Sequence, residues 1–260
     1  MPEGDSVHRA AQQLDAALTG QVLTSSDFRI PSLATSDVSG ATVTGTSSRG
    51  KHLLTRLDSG LTLHTHLKME GGWSVHPLGA RWRRPGHTAR VVLRTATTEA
   101  VGFQVLLHLV RTASENDLVG HLGPDLLGDD WDATVALANL GADPAVPLGD
   151  ALLDQRNLAG IGNVYKSELC FLARVDPQTP VGGVPDLAGV VQQARRLLET
   201  NKDRPVRITT ADRRPGHRLW VYGRLGPCLR CGTRIQQADR GPRGRERVTY
   251  WCPTCQPLLA

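Results

Sequence analysis

The chain has 260 residues, 40% of them hydrophobic and 21% charged, with a formal net charge of +5. That length allows two modest domains, each with its own core. The longest apolar run, Val101 to Val110, is too short for a bilayer and is broken by Gln104 and His108, which excludes a membrane span; no charged stretch leads into an apolar one at the start, so a secretory leader is excluded too and a cytoplasmic protein is expected.

Met1-Pro2-Glu3-Gly4 opens the chain. Proline is small enough for a preceding methionine to be removed, which would leave a secondary amine one residue from the Glu3 carboxylate. Such amines form Schiff bases with sugar or carbonyl carbons. Proline also suits the first turn of a helix, and taken alone these four residues favour that plainer role. Val7, Ala10, Ala11, Leu14, Ala17 and Leu18 then follow at helical spacing, with Gly20 as the stop.

From about residue 21 to 111 the pattern is β. Segments 21–30, 41–47, 52–57, 61–67, 87–95 and 100–107 are short, separated by Gly, Ser, Asp and Pro, and predict a sandwich or barrel. Asp58-Ser59-Gly60 reads as a hairpin turn. His64 and His66 share one strand face, but no third ligand is evident, so packing or polar support is the expected role. Residues 120–147 are rich in Gly, Asp and Pro and mark a domain junction, with a helix predicted over 129–140. Helices are then predicted over 148–155, 163–173 and 186–200, the last with Asp186 as N-cap. Gly160-Ile161-Gly162-Asn163 opens the second of these; glycines permit close approach, Asn163 can cap the helix, and free N–H groups at a helix start suit a phosphate.

Cys228-Leu229-Arg230-Cys231 and Cys252-Pro253-Thr254-Cys255 form two C-x-x-C pairs around a stretch of hairpin length. Four thiolates in that pattern, Cys228, Cys231, Cys252 and Cys255, suit one tetrahedral zinc ion of the closed structural kind, with no open position for a substrate. Cys170 falls in an apolar helical pattern and reads as core. Residues 195–251 hold 15 of the 30 Lys and Arg residues against 5 acids, so that segment carries +10 and the remainder −5. Fourteen of those cations are arginine, whose planar fork suits phosphate, and a basic segment on a less charged body is the footprint of nucleic-acid binding.

Taken together, Met1-Pro2-Glu3-Gly4, Ser48-Arg49-Gly50-Lys51, His66-Leu67-Lys68-Met69-Glu70-Gly71, Leu153-Asp154-Gln155 through Gly160-Ile161-Gly162-Asn163-Val164-Tyr165 with Glu168, and the ribbon ending Arg247-Val248-Thr249-Tyr250-Trp251-Cys252-Pro253 make the chain similar to one family. It resembles the formamidopyrimidine-DNA glycosylase/endonuclease VIII family of base-excision repair enzymes, and the endonuclease VIII side more closely. The resemblance implies an α+β multidomain fold: an N-terminal helix plus β-sandwich (1–125), a helix–two-turns–helix domain (126–216) and a C-terminal zinc-ribbon β-hairpin (217–260), with DNA in the cleft between.

The same resemblance implies a bifunctional DNA glycosylase and abasic-site lyase acting as a monomer on damaged DNA, nucleoid-associated through that binding. Pro2 would be the nucleophile, Glu3 the acid/base partner at the sugar ring oxygen, and Lys51 a phosphate contact near the lesion. Asn163 and Arg247 would clamp flanking phosphates. Met69 would fill the gap left by an extruded base, while Glu168 would support the turns. Two departures stand out. Asp5-Ser6 replaces the Pro-Glu that often follows Gly4, and the Asp-Pro-Arg-x-Phe-Gly loop of the oxidised-guanine enzymes is absent, Ala100-Val101-Gly102-Phe103-Gln104 standing in that region. The second points to oxidised pyrimidines and leaves the other void-filling residues unassigned. The competing expectation is a non-catalytic zinc-containing protein that binds damaged DNA; a zinc-ribbon transcription or translation factor would explain residues 224–256 and little else.

Overall fold

A computed structural model describes residues 2–244 and 246–259. The chain divides into two compact units, 1–121 and 122–260.

In the first unit, helix α1 (Gly4–Leu18) buries the stripe Val7, Ala10, Ala11, Leu14 and Leu18. It stops at Thr19, and Gly20 takes a positive φ of 77° just beyond, the left-handed exit that glycine allows at least cost. Strands β1 (Ser25–Phe28), β2 (Val43–Arg49), β3 (His52–Leu57), β4 (Leu61–His66), β5 (Gly72–Pro77), β6 (Ala89–Arg94), β7 (Thr98–Phe103) and β8 (Leu106–Arg111) follow. They form two four-stranded antiparallel sheets, ordered β1-β6-β7-β5 and β2-β3-β4-β8. One core lies between them: Phe28, Val91 and Leu93 come from the first sheet, Leu53, Leu63 and Leu107 from the second, and Val7, Leu14 and Leu18 from α1. Helix α2 (Glu115–Val119) closes the unit, with Glu115 bound to Arg56 at 2.7 Å.

The single strand predicted over 100–107 is two strands of different sheets. β7 ends at Phe103, Gln104 turns the chain with φ 52°, and β8 begins at Leu106. Apolar residues on both sides of the break conceal it. Strand β5, glycine-rich at its start, and the short α2 escape the sequence pattern altogether.

In the second unit, α3 (Ala133–Gly141) starts three to four residues later than its pattern suggests because Asp132 caps it, accepting from the Thr134 and Val135 N–H groups. Then come α4 (Leu148–Leu153), α5 (Asn163–Leu172) and α6 (Leu187–Asn201), the last capped by Asp186 through the Gly189 N–H at 2.7 Å. They enclose a core that includes Leu126, Leu140, Leu152, Tyr165 and Leu198. Between α4 and α5 the Gln155 amide donates to the Leu153 and Ile161 carbonyls and accepts from the Gly160 N–H, folding the connection over itself. Strands β9 (Gln236–Arg240) and β10 (Arg247–Trp251) pair antiparallel. No helix among the described residues is long and apolar enough to cross a membrane.

Glu168, on α5, is fully buried. Its carboxylate accepts from the Trp220, Val221 and Tyr222 N–H groups at 2.8–2.9 Å and from the Thr209 hydroxyl. Burial pushes its pKa up, and these donors pull against that. Its part is to hold two loop segments beyond α6, at Thr209 and at Trp220–Tyr222, and not the connection between α4 and α5. Because Glu168→Ala would leave three backbone N–H donors without their acceptor, that of Val221 buried and the other two half-buried, it is expected to cost about 3 kcal/mol; urea unfolding measures this, and a loss below about 1 kcal/mol would show that the loops are held by other means.

Candidate active site and metal centre

The candidate residues of the first unit lie at the start of α1 and on two turns that leave the second sheet. Glu3 is the N-cap of α1, extended at φ −133°, with no solvent exposure. Its N–H donates to the Ser6 hydroxyl oxygen at 2.9 Å, and that hydroxyl donates back to the Glu3 carbonyl at 3.0 Å. Asp5, also buried, accepts the Ser6 N–H at 2.7 Å. The Asp5-Ser6 departure thus closes the first turn with a hydroxyl in place of a second glutamate. Pro2 is half-buried ahead of this anchored turn; Met1, whose removal would free the amine, lies outside the described residues.

Lys51 is the second residue of a two-residue loop joining β2 and β3. Arg49 pairs with His52 across it, and Gly50 has φ 57°, the positive φ that such tight hairpins need. The loop therefore has little freedom, and Lys51 is half-buried on it. Met69 lies on the turn after β4, where Lys68 adopts φ 54°, and it is 63% exposed, an unusual position for a large apolar side chain.

Behind Lys51 the structure assembles a feature that the sequence only hints at. His64 and His66 are joined by His52 from β3 and His108 from β8. The His52 Nδ1 and His64 Nε2 atoms are 2.7 Å apart, His64 stacks on His108 at 5.6 Å between ring centroids, and His66 meets His52 edge-on at 5.4 Å. His66 Nδ1 accepts the Lys68 N–H at 3.0 Å. Burial, reinforced by neighbouring cations and imidazoles, lowers His52 to about 3 and His64 and His66 to about 4. These rings are neutral at neutral pH and add no charge beside Lys51. Strand register could have suggested the row, since His64 lies opposite His108 and His52 opposite His66, but register is not visible in a list of residues.

In the second unit Gly162, not Asn163, is the N-cap of α5; Asn163 is the first helical residue. Its side chain is 3% exposed and donates through Nδ2 to the Val248 carbonyl at 2.5 Å, leaving a buried Oδ1 with no hydrogen-bond partner among the described residues. One turn on, buried Lys166 donates to the Thr249 hydroxyl at 2.7 Å. These two bonds fix β10 against α5 and bring Arg247, exposed at the start of β10, to the head of the helix. Arg247, exposed and far from Asn163 in sequence, is thus the chain neighbour of the residue that buried Asn163 holds.

The four ribbon thiols converge. Their sulfurs all lie within 4.8 Å of one another, with Cys228–Cys255 at 4.0 Å and Cys231–Cys252 at 3.5 Å. A tetrahedral zinc–thiolate centre separates its sulfurs by roughly 3.8 Å, so the donor set fits that ion. Cys170 is buried apart from them in the helical core, and burial pushes its thiol up to about 12. Several cations of the basic segment already have partners within the chain. Arg230 lies over the Phe171 ring at 4.2 Å; Arg240 lies over Trp251 at 3.7 Å and bonds Asp176 at 2.6 Å; Arg214 pairs with Asp212.

A family model for the formamidopyrimidine-DNA glycosylase N-terminal domain matches residues 1–122, and one for the H2TH domain of the same enzymes matches 122–201. The chain is 59% identical to a probable endonuclease 8 2 of Streptomyces coelicolor, over 98% of this chain and 94% of that one. The chain belongs to the formamidopyrimidine-DNA glycosylase/endonuclease 8 family. Another member, the DNA-(apurinic or apyrimidinic site) lyase Nei2 of Mycolicibacterium smegmatis, is 51% identical over 98% of this chain and 99% of its own. The fold extends to a Lactococcus lactis glycosylase of the family, crystallised with DNA containing N7-benzyl-Fapy-dG. It superposes with a TM-score of 0.81 at 23% identity, covering 98% of this chain and all of that one. Among these family members the present chain has the expected helix, antiparallel sheets and helical domain, together with the four-cysteine cluster.

The histidine row carries a pH dependence. Each lowered imidazole binds its proton more readily in the unfolded chain, so its penalty is absent above about pH 6.5 and grows as pH falls toward about 4. The Tm is expected to drop between about pH 7 and about pH 5, and His64→Gln is expected to flatten that slope. An identical slope in the variant would mean that burial does not hold His64 neutral.

Proposed function

We propose that this protein is a bifunctional DNA glycosylase and abasic-site lyase that removes oxidised bases, pyrimidines foremost, through a Schiff base on Pro2. The observation that carries this reading is Glu3: a carboxyl with no solvent exposure, at the N-cap of a helix seated in the core, directly beside the only residue whose amine would be secondary. Support comes from the family, including a relative named as an abasic-site lyase at 51% identity.

The Pro2 nitrogen attacks C1′ of the damaged nucleotide. The bond from C1′ to the base breaks, and the base leaves with the electron pair and takes up the proton that the nitrogen gives up, which restores the nitrogen lone pair. Glu3 delivers a proton to the ring oxygen, the sugar opens, and the nitrogen lone pair completes an iminium at C1′. That cation accepts electrons when the C2′ proton is removed, so the C3′–O bond breaks and the 3′ phosphate departs. Water then releases the sugar and restores the amine.

Lys51, held on its two-residue loop, supplies a cation for a phosphate near the lesion. Arg247 takes a flanking phosphate from the start of β10, with Asn163 acting through the Val248 carbonyl to hold that strand and through the N-terminus of α5 itself. Met69 enters the base stack as a wedge. The preference for pyrimidines is supported by the β7–β8 connection, which is only Gln104-Val105 and carries none of the residues of the oxidised-guanine loop. One zinc ion on Cys228, Cys231, Cys252 and Cys255 would hold the ribbon in shape, a structural part that leaves the chemistry to the amine.

The test is release of free base and strand scission, measured separately, on a duplex carrying one oxidised pyrimidine. Pro2→Ala is expected to lose both while still binding DNA, and Glu3→Gln to lose about a hundredfold or more in rate. Undiminished cleavage by homogeneous Pro2→Ala protein would remove the amine from the mechanism; a wild-type protein that binds the duplex but releases no base from any oxidised lesion would favour the non-catalytic binder.

A further inference from the structure

The two sheets of the first unit are joined by two crossovers that run side by side. One, Leu67–Gly71, leads from β4 to β5; the other, Gln104-Val105, leads from β7 to β8. Gly72 is paired with Phe103 and His66 with Leu106, so the crossovers start and end as neighbours. Each turns through a non-glycine residue in the left-handed region, Lys68 at φ 54° and Gln104 at φ 52°. They approach so closely that a Cβ on Gly71 would lie 2.7 Å from the Gln104 carbonyl oxygen. An exposed large apolar side chain accompanies each, Met69 (63%) on the first and Leu106 (39%) at the start of β8 directly after the second.

One side chain ties the two crossovers together. Arg84 Nη2 donates to the Glu70 carbonyl at 2.7 Å and to the Gln104 Oε1 at 2.9 Å, and the guanidinium lies 5.3 Å from the Phe103 ring centroid. Its partners therefore include the residue after Met69 and the residue two before Leu106.

We propose that Arg84 is a positioning residue, locking the two crossovers into one platform so that Met69 and Leu106 enter the duplex as a single two-residue wedge. This rests on the glycosylase reading of the same unit. The physical need is stiffness. A wedge that holds bases apart must resist their restacking, and two left-handed turns on separate crossovers would shift independently without a shared anchor. Arginine suits the task because the two N–H bonds of Nη2 reach both acceptors while the planar guanidinium lies on an aromatic ring. Leu106 supplies the second apolar group that the shortened β7–β8 connection does not.

The proposal separates two substrates. Base removal from a duplex needs the wedge, whereas elimination at an abasic site in single-stranded DNA needs the amine but no opening of a base stack. The experiment uses full-length protein with three readouts: excision from a duplex carrying an oxidised pyrimidine, scission of a single-stranded abasic oligonucleotide, and fluorescence of 2-aminopurine placed opposite a tetrahydrofuran abasic analogue in a duplex. Arg84→Met is expected to slow duplex excision by about tenfold to a hundredfold, to reduce the 2-aminopurine signal, and to leave single-strand scission within about twofold. Leu106→Ala is expected to reproduce this pattern, and the double variant to be no worse than the weaker single one, since both act through one wedge. Arg84→Lys, which keeps the charge but not the planar face held over Phe103, is expected to resemble Arg84→Met.

Equal loss on both DNA substrates, or duplex excision and fluorescence unchanged in Arg84→Met, would overturn the assignment. The fluorescence arm does not depend on catalysis. A wild type that unstacks 2-aminopurine in an Arg84-dependent way but releases no base would keep the wedge and remove the glycosylase. A wild type that cleaves but leaves 2-aminopurine unperturbed would do the reverse.

Discussion

Chemistry at an N-terminal amine requires that the start of a chain, ordinarily its loosest part, be held still. Near-attack geometry is lost with displacements of about an ångström, so the anchor must be rigid. Here the anchor is the burial of Glu3 at the head of α1. The helix behind it is fastened by Val7, Leu14 and Leu18, each buried in the core shared by both sheets, at about 1.5–3 kcal/mol for a fully buried large aliphatic side chain. The first turn is closed by Ser6, whose hydroxyl serves both the N–H and the carbonyl of Glu3. The sandwich thus acts as a mount for two residues.

The second unit repeats this logic on one ten-residue helix, α5. Asn163 holds Val248, Lys166 holds Thr249, and Glu168 holds the Thr209 hydroxyl and the backbone from Trp220 to Tyr222. These three polar side chains, all buried, hold the ribbon and its approach: Asn163 and Lys166 fix β10, and Glu168 fixes the segments at Thr209 and Trp220–Tyr222. Burying a lysine and a glutamate in this way is unfavourable unless both are hydrogen-bonded, and both are. Two arginines of the basic segment, Arg230 and Arg240, join this framework through Phe171, Trp251 and Asp176.

What was legible in the sequence was local. The cysteine pairs announce that their four sulfurs converge because the spacing itself is the signal, and the stripe of α1 and the Asp186 cap follow from the helical period. What was hidden depends on partners distant in the chain. Asn163 reads as a cap, yet Gly162 caps the helix and the Asn163 amide is engaged by Val248. The histidine row needs the registers of three strands. The apolar stretch 100–107 conceals a change of sheet at Gln104, because strands buried on either side of a turn look the same as one buried strand. Arg84, one of four arginines between residues 80 and 91, has nothing in its neighbourhood to distinguish it before the crossovers are seen side by side.

The central claim is that the nucleophile is the amine of Pro2. Borohydride reduction during reaction with an abasic duplex converts the iminium into a stable bond, and digestion followed by mass spectrometry locates it. The account requires the adduct on an N-terminal peptide that begins at Pro2, with Met1 gone. An adduct carried by a lysine, Lys51 above all, with Pro2 unmodified, would contradict it.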